Sequence, residues 1–230
     1  MLGKNFWQKY FKLKGNTNNL WEKIPPDKIP SSTEIDENFW SYFREGDSIL
    51  EVGCGQGRFV YNCAVRGFKI TGIDINKEAI ELLNKDAYLF GAEVYHADIL
   101  TAKFKEKFKG VLLQGLLGSL DKKDRSKCLN KVKTVMEEGG YLHIAEFEMS
   151  DEFEKKYDED FKLTGEYGTL VIRDKDSGEE LCRGHNFYKE EMAELLEKAG
   201  LKIVSLKKTF FTSYHGNKKP GMMIIAQKNE

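Results

Sequence analysis

Charge of one sign is the first thing missing. Against 36 lysines and arginines stand 37 aspartates and glutamates, a formal charge of −1 over 230 residues. That balance argues against a protein built to coat nucleic acid or an acidic membrane. Long apolar runs are missing too: none reaches the ~18 residues of a membrane span. The N-terminal stretch MLGKNFWQKYFKLKGN has no uninterrupted apolar core and no small-residue cleavage site, so it does not read as a secretory signal. Cys54, Cys63, Cys128 and Cys182 show no C-x-x-C spacing. A chain of this length folds without disulfides, so free buried thiols in a reducing cytoplasm are expected, with no metal site. Repeats and low-complexity linkers are also absent. What remains is 40% hydrophobic and 12% aromatic residues, enough to bury a core and to exclude a disordered chain.

The first 47 residues read as a helical flap. Phe6, Trp7, Tyr10 and Phe11 give one apolar helical face, and Pro25, Pro26 and Pro30 break it. Ser31 and Glu34 stand at capping-box spacing before a second helix through Phe39, Trp40 and Phe43. From residue 48 strands alternate with helices. Strands are expected at 48–52, 69–74, 92–96, 110–114 and 141–147. Helices are expected at 58–65, 77–88 and 121–138, the last stopped by Gly139-Gly140. Short connections make this a parallel sheet with right-handed crossovers. Residues 148–187 break the rhythm with a charged, weakly helical stretch. A hairpin follows, 169–173 against 179–183, turning at Asp-Ser-Gly. A helix at 189–199, a strand at 201–211, a turn at 216–220 and an antiparallel strand at 221–227 complete the chain. The expectation is a single α/β domain, doubly wound and mostly parallel. It divides into a flap (1–47), a ligand-binding half (48–147), an inserted lid (148–187) and a closing helix with strands (188–230).

The densest local signal is Ile49-Leu-Glu-Val-Gly-Cys-Gly-Gln-Gly-Arg-Phe-Val60, where a strand turns into a helix through Gly53, Gly55 and Gly57. Glycines turn the backbone sharply and let a ligand approach without Cβ interference. Asp74 ends the second strand and Asp98 follows the third. In a parallel sheet Asp74 lies beside the loop at the strands' carboxyl ends, where such folds bind ligands and where a carboxylate can accept both hydroxyls of a ribose. A dinucleotide site wants its third glycine at position 58, which is Arg58. An acidic Glu51 at the loop's root suits a cationic amino acid moiety better than a pyrophosphate.

These residues resemble the class I S-adenosylmethionine-dependent methyltransferases. The family's E/D-x-G-x-G-x-G motif matches Glu51, Gly53, Gly55 and Gly57. Its ribose acid matches Asp74, with Ile75 beside it, and its adenine-side acid matches Asp98, with Ile99 against the ring. The order of elements from 48 to 228 matches as well, including a seven-stranded sheet with the last strand antiparallel. Phe187–Leu201 resembles the run before the sixth strand. The resemblance implies S-adenosylmethionine as cofactor, S-adenosylhomocysteine as product, and direct in-line methyl transfer without a metal.

Absences narrow the acceptor that the resemblance implies. Leu113–Gly118 carries no Asn/Asp-Pro-Pro-aromatic motif of amino-group enzymes, and no cysteine neighbours a proline as in cytosine C5 enzymes. A paired-glutamate hairpin and metal-binding acids after strand four are also missing. A small molecule is the expected acceptor, with no nucleic acid or membrane partner, for a monomer or homodimer. The alternatives are an RNA or protein methyltransferase, an inactive cofactor-binding subunit, or a nicotinamide-dependent oxidoreductase. Gln114 and Gly115 are expected to line the transfer region with Leu116 and Leu117. Glu146 should lie beside it. His185 is the first candidate for a base or acceptor-orienting group, with Tyr188 near it on the lid.

Overall fold

The computed structural model describes residues 33–213 and 216–229. The first expected helix, with Phe6, Trp7, Tyr10 and Phe11, and the prolines expected to break it lie outside them. Strands are β1 (Ser48–Val52), β2 (Lys69–Asp74), β3 (Glu93–His96), β4 (Phe108–Gln114), β5 (Met136–Phe147), β6 (Thr169–Arg173), β7 (Glu180–His185), β8 (Leu201–Thr212) and β9 (Lys218–Lys228). Helices are α1 (Arg58–Ala64), α2 (Lys77–Ala87), α3 (Lys122–Val135), α4 (Glu154–Thr164) and α5 (Lys189–Lys198). Seven strands form one sheet in the order β3-β2-β1-β4-β5-β9-β8, and β6-β7 is a separate two-stranded hairpin. Pairing is parallel from β3 through β5, and β9 runs antiparallel to both neighbours. This is the expected doubly wound sheet. Among the described residues, no helix is long and apolar enough to cross a membrane.

Alternating side chains give the sheet two buried faces. Leu50, Val52, Leu113, Leu142 and Ile144 pack with Leu129, Val132, Met192 and Leu196 of α3 and α5. Ile49, Leu112 and Ile225 pack on the other face with Val60, Cys63, Ile80 and Leu83 of α1 and α2, and with Phe39. Burying a side chain of this size contributes about 1.5–3 kcal/mol, so the two apolar sets fix the sheet's register and which helices cover each face. The four cysteines are free thiols, three of them buried.

The differences from the sequence reading are local. The second helix is a 3-10 turn, Glu37–Tyr42, capped by the Asp36 side chain, which accepts from the Asn38 amide. Asp36 lies next to the turn, and the expected capping residue Ser31 lies outside the described residues. Helix α3 ends at Val135, before Gly139-Gly140. Those glycines sit inside β5, where the register against β4 shifts and Gly139 takes φ +68°. A Cβ on Gly140 would meet the Lys109 carbonyl at 2.9 Å, so the pair permits a bulge and a close backbone approach instead of a helix stop. The expected turn at 216–220 is shorter, because Lys218, Lys219 and Pro220 already pair with Thr212, Phe211 and Phe210.

Candidate functional site

In the sheet order, sequence neighbours diverge on either side of β1 and β4. That switch point, at the strands' carboxyl ends, is where open α/β sheets form their ligand crevice. The glycine loop leaves β1 there. Gly53, Gly55 and Gly57 take φ of +79°, +50° and +80°, a region that only glycine enters without strain. A Cβ at Gly53 would also come within 3.2 Å of Leu116 Cδ1. The loop is thus a cradle whose backbone strains any side chain at these three positions, and at Gly53 a side chain would also press on Leu116.

The three expected acids hold the loops that frame this cradle. Asp74 Oδ2 accepts from the Gly55 amide at 2.9 Å, and Oδ1 accepts from the Asn76 amide at 2.7 Å. Burial pushes its carboxyl above the usual aspartate value, and those amide bonds act against the rise. Each oxygen retains a lone pair for a hydroxyl. The cap of α2 is Asn76, which accepts from the Ala79 amide, so Asp74 has no capping duty. Asp98 Oδ1 accepts from the Leu100 amide and shapes the turn after β3. Ile75 offers its carbonyl to Nε2 of His96 at 3.1 Å. Ile99 is buried in the core on the α3 side. Glu51 is 2% exposed on the α1 side, and its Oε2 meets no hydrogen-bond partner among the described residues. Burial first, and the nearby Asp74 second, raise its carboxyl well above the ordinary range. The carboxyl also accepts from the Val60 amide, and its one orphaned oxygen at the root of a glycine cradle fits a ligand that brings a cation.

Across the switch point, Val52 pairs with Leu113, which sets Gln114 alongside Gly53. The Gly115 amide donates to the Ala145 carbonyl. The Gln114 carboxamide lies 2.9 Å from His143 Nδ1. His143 is fully buried, and its Nε2 accepts from the Asp36 amide at 2.9 Å. Burial lowers its pKa to about 3, so the ring is neutral.

The expected acceptor-side residues cluster on the opposite sheet face. Glu146 is buried, and Oε1 accepts from the Leu117 amide at 2.6 Å and from Gly118 at 3.3 Å. Burial pushes its carboxyl up to about 8, against the pull of those amides and of Arg125. Arg125, 2% exposed, donates Nε to the Leu117 carbonyl and its two terminal nitrogens to Glu166, at 2.6 and 3.2 Å. Glu146 and Arg125 therefore clasp one peptide of the loop after β4 from both sides. His185, 3% exposed, lies between Thr169 Oγ1 (2.9 Å from Nδ1) and Glu191 Oε2 (3.1 Å from Nε2). Glu166, His185 and Glu191 stand close enough to ligate a metal, but the cation facing the two carboxylates is Arg125. Tyr188 is half exposed at the start of α5. The structure thus brings Glu146 and His185 together as braces of the loop and hairpin. Sequence reasoning missed Arg125, Glu166, Glu191 and His143, whose roles come from contacts 6–41 residues apart in sequence, or 107 for His143. No local motif marks them.

Comparison with known proteins gives a concordant picture. A family model described as a methyltransferase domain matches residues 43–200. A solved SAM-dependent methyltransferase of Methanosarcina mazei is 32% identical, with 85% of this chain and 99% of that chain covered and a TM-score of 0.81. The N-methyltransferase NodS of Bradyrhizobium japonicum, solved with S-adenosyl-L-homocysteine, shares the fold at 16% identity, covering 99% and 100% with a TM-score of 0.62. Curated relatives match over short stretches. A ribosomal RNA large subunit methyltransferase of Methanocaldococcus jannaschii is 30% identical over 31% of this chain and 21% of that protein. A ubiquinone biosynthesis O-methyltransferase of Alkalilimnicola ehrlichii is 40% identical over 24% and 22%. The chain thus spans about a fifth of the length of these two curated relatives.

Proposed function

The chain belongs to the class I S-adenosylmethionine-dependent methyltransferase family, and from that premise we propose that it transfers a methyl group to a small-molecule acceptor by in-line displacement. S-adenosylmethionine is the cofactor, and when bound it supplies a methyl already activated on a sulfonium sulfur. The chain's own work is to bind, orient and exclude water. The observation that carries the reading is the cradle itself: three positive-φ glycines beside Asp74, with one orphaned oxygen of the buried Glu51 carboxyl at their root. In this reading Asp74 takes the ribose hydroxyls and Glu51 the amino group. Asp98 with Ile75 and Ile99 shapes the adenine side, and Gln114 and Gly115 border the transfer position. Glu146 and His185 hold the loop and lid against the acceptor. Tyr188, half exposed, is the expected acceptor-side residue left open to solvent.

A small acceptor is favoured by the formal charge of −1, which leaves no excess of cations for a nucleic acid. The hairpin and α4, inserted between β5 and α5, supply a cover suited to a small ligand. We place the enzyme in the cytoplasm as a monomer or homodimer. The short match to a ribosomal RNA enzyme favours a second reading, RNA methylation. Incubation of the protein with methyl-labelled S-adenosylmethionine and a fractionated cell extract separates the two. Label in the small-molecule fraction is expected; label in RNA or protein overturns the small-acceptor reading. Cofactor binding without transfer to any fraction marks an inactive partner subunit. Calorimetric binding of NAD with none of S-adenosylmethionine refutes the activity altogether.

A further inference from the structure

His143 and Gln114 lie on the sheet face away from Glu146 and His185, at the β1/β4 switch point. The Asp36 amide donates to His143 Nε2 at 2.9 Å, so that nitrogen carries a lone pair. A neutral imidazole with an unprotonated Nε2 holds its hydrogen on Nδ1. The ring is fully buried and stacks edge-on against Phe39, and burial keeps it neutral. Nδ1–H must then donate, and the group facing it at 2.9 Å is the Gln114 carboxamide. The two ends of a carboxamide are told apart by their hydrogen bonds, not by their shape. An NH2 group against Nδ1–H would set donor against donor and would leave the carboxamide oxygen buried and orphaned among the described residues. Turning the amide by half a rotation satisfies the histidine and puts NH2 at that orphaned end.

We propose that His143 is a positioning residue that holds the Gln114 carbonyl inward and leaves the Gln114 NH2 group at the root of the crevice beside Gly53, buried and without a partner among the described residues until an oxygen of the methyl acceptor accepts from it. The inference rests on the cofactor site proposed above. It narrows the acceptor to molecules that bring a carbonyl, hydroxyl or carboxylate oxygen to that point. A bare ammonium would meet a donor there and be disfavoured. Asp36 completes the device: its amide orients the imidazole, and its carboxylate pairs with Lys207 at 2.7 Å, which anchors the 3-10 turn on β8.

Two kinds of measurement test it. Nitrogen-15 spectra of the imidazole, recorded without any ligand, should show His143 protonated on Nδ1 and not titrating between about pH 5 and 8. A proton on Nε2, or a titration in that range, overturns the orientation. Gln114→Glu keeps the shape and an acceptor for Nδ1–H, and places a negative charge at the crevice. Calorimetry with S-adenosylmethionine and S-adenosylhomocysteine then compares a cationic with a neutral sulfur. The Gln114→Glu preference for the sulfonium compound should rise by about tenfold or more, and Gln114→Met should leave it near wild type. An unchanged preference in Gln114→Glu places the side chain away from the transfer position and overturns the proposal. Labelled transfer to the small-molecule fraction should fall by about tenfold or more in Gln114→Met, and a wild-type rate there refutes the donor role. If the wild type itself labels no small molecule, the acceptor reading fails, while the tautomer and the sulfonium preference still decide the arrangement of His143 and Gln114.

Discussion

Replacement of Asp74 by asparagine probes the cradle most directly. In the ligand-free chain the carboxylate accepts one amide on each oxygen, from Gly55 and Asn76, and it retains lone pairs for two hydroxyls. Asparagine keeps one carbonyl oxygen and turns an NH2 group toward the other partner. One charge-assisted bond to the cofactor is then lost and the remaining ones lose their charge. A hydrogen bond to a charged group contributes about 1.5–3 kcal/mol, which corresponds to a roughly 10- to 150-fold loss of affinity for S-adenosylmethionine. The same change weakens the loop's own bonds by a similar amount. At about 2–4 °C per kcal/mol for a chain of this size, the melting temperature should fall by about 3–12 °C. Calorimetric titration at pH 7.5, with a thermal scan to establish folding, measures both. Since burial raises the Asp74 carboxyl, wild-type affinity should also decline on acidification at a higher pH than an ordinary aspartate would give. A folded variant that binds the cofactor as tightly as wild type refutes the ribose assignment.

Further outcomes follow from the buried charges and from one glycine. Breaking the part-buried fork by Arg125→Met leaves Glu166 without its cation, and a loss of about 1.5–3 kcal/mol is expected in chemical denaturation. The double change with Glu166→Met should recover part of it, and a double variant no better than the single one contradicts the pairing. Gly118→Ala would press a Cβ to 2.6 Å from the His185 carbonyl, so it should loosen the hairpin from the β4 loop and raise the proteolysis rate between residues 165 and 185. Cleavage at the wild-type rate would count against that packing. Glu146 holds a proton in the folded state up to about pH 8 that the unfolded chain releases near 4.5, so its contribution makes stability fall as pH rises through that window. His143 acts in the opposite sense: the unfolded ring gains a proton below 6.5 that the folded ring refuses down to about 3, so stability falls on acidification there. The two slopes oppose between 4.5 and 6.5, and Glu146→Gln should remove the loss above 6.5. An identical pH profile for that variant would sink the argument.

The sequence by itself determined the frame. The strand-to-helix turn with glycines at 53, 55 and 57, and Asp74 at the end of the next strand, are local signals, because a tight turn and a strand end are set by neighbours in the chain. The period-two and period-3.6 patterns placed seven sheet strands and five helices for the same reason. Gly139 and Gly140 show the limit of local reading, since a glycine pair after a helical pattern marks a helix stop or a strand bulge alike, and only the approach of the Lys109 carbonyl selects the bulge. Tertiary structure alone decided what the polar side chains do. His185 and Glu146 stand near the expected acceptor side in sequence, but the fold engages them with Thr169, Glu191 and the Leu117 amide. His143 reads as an ordinary strand residue until the Asp36 amide, 107 residues away, fixes its proton. A hydrogen bond or a desolvated charge depends on which groups the chain brings together and on how much water it removes, and neither quantity has a period that a sequence can display.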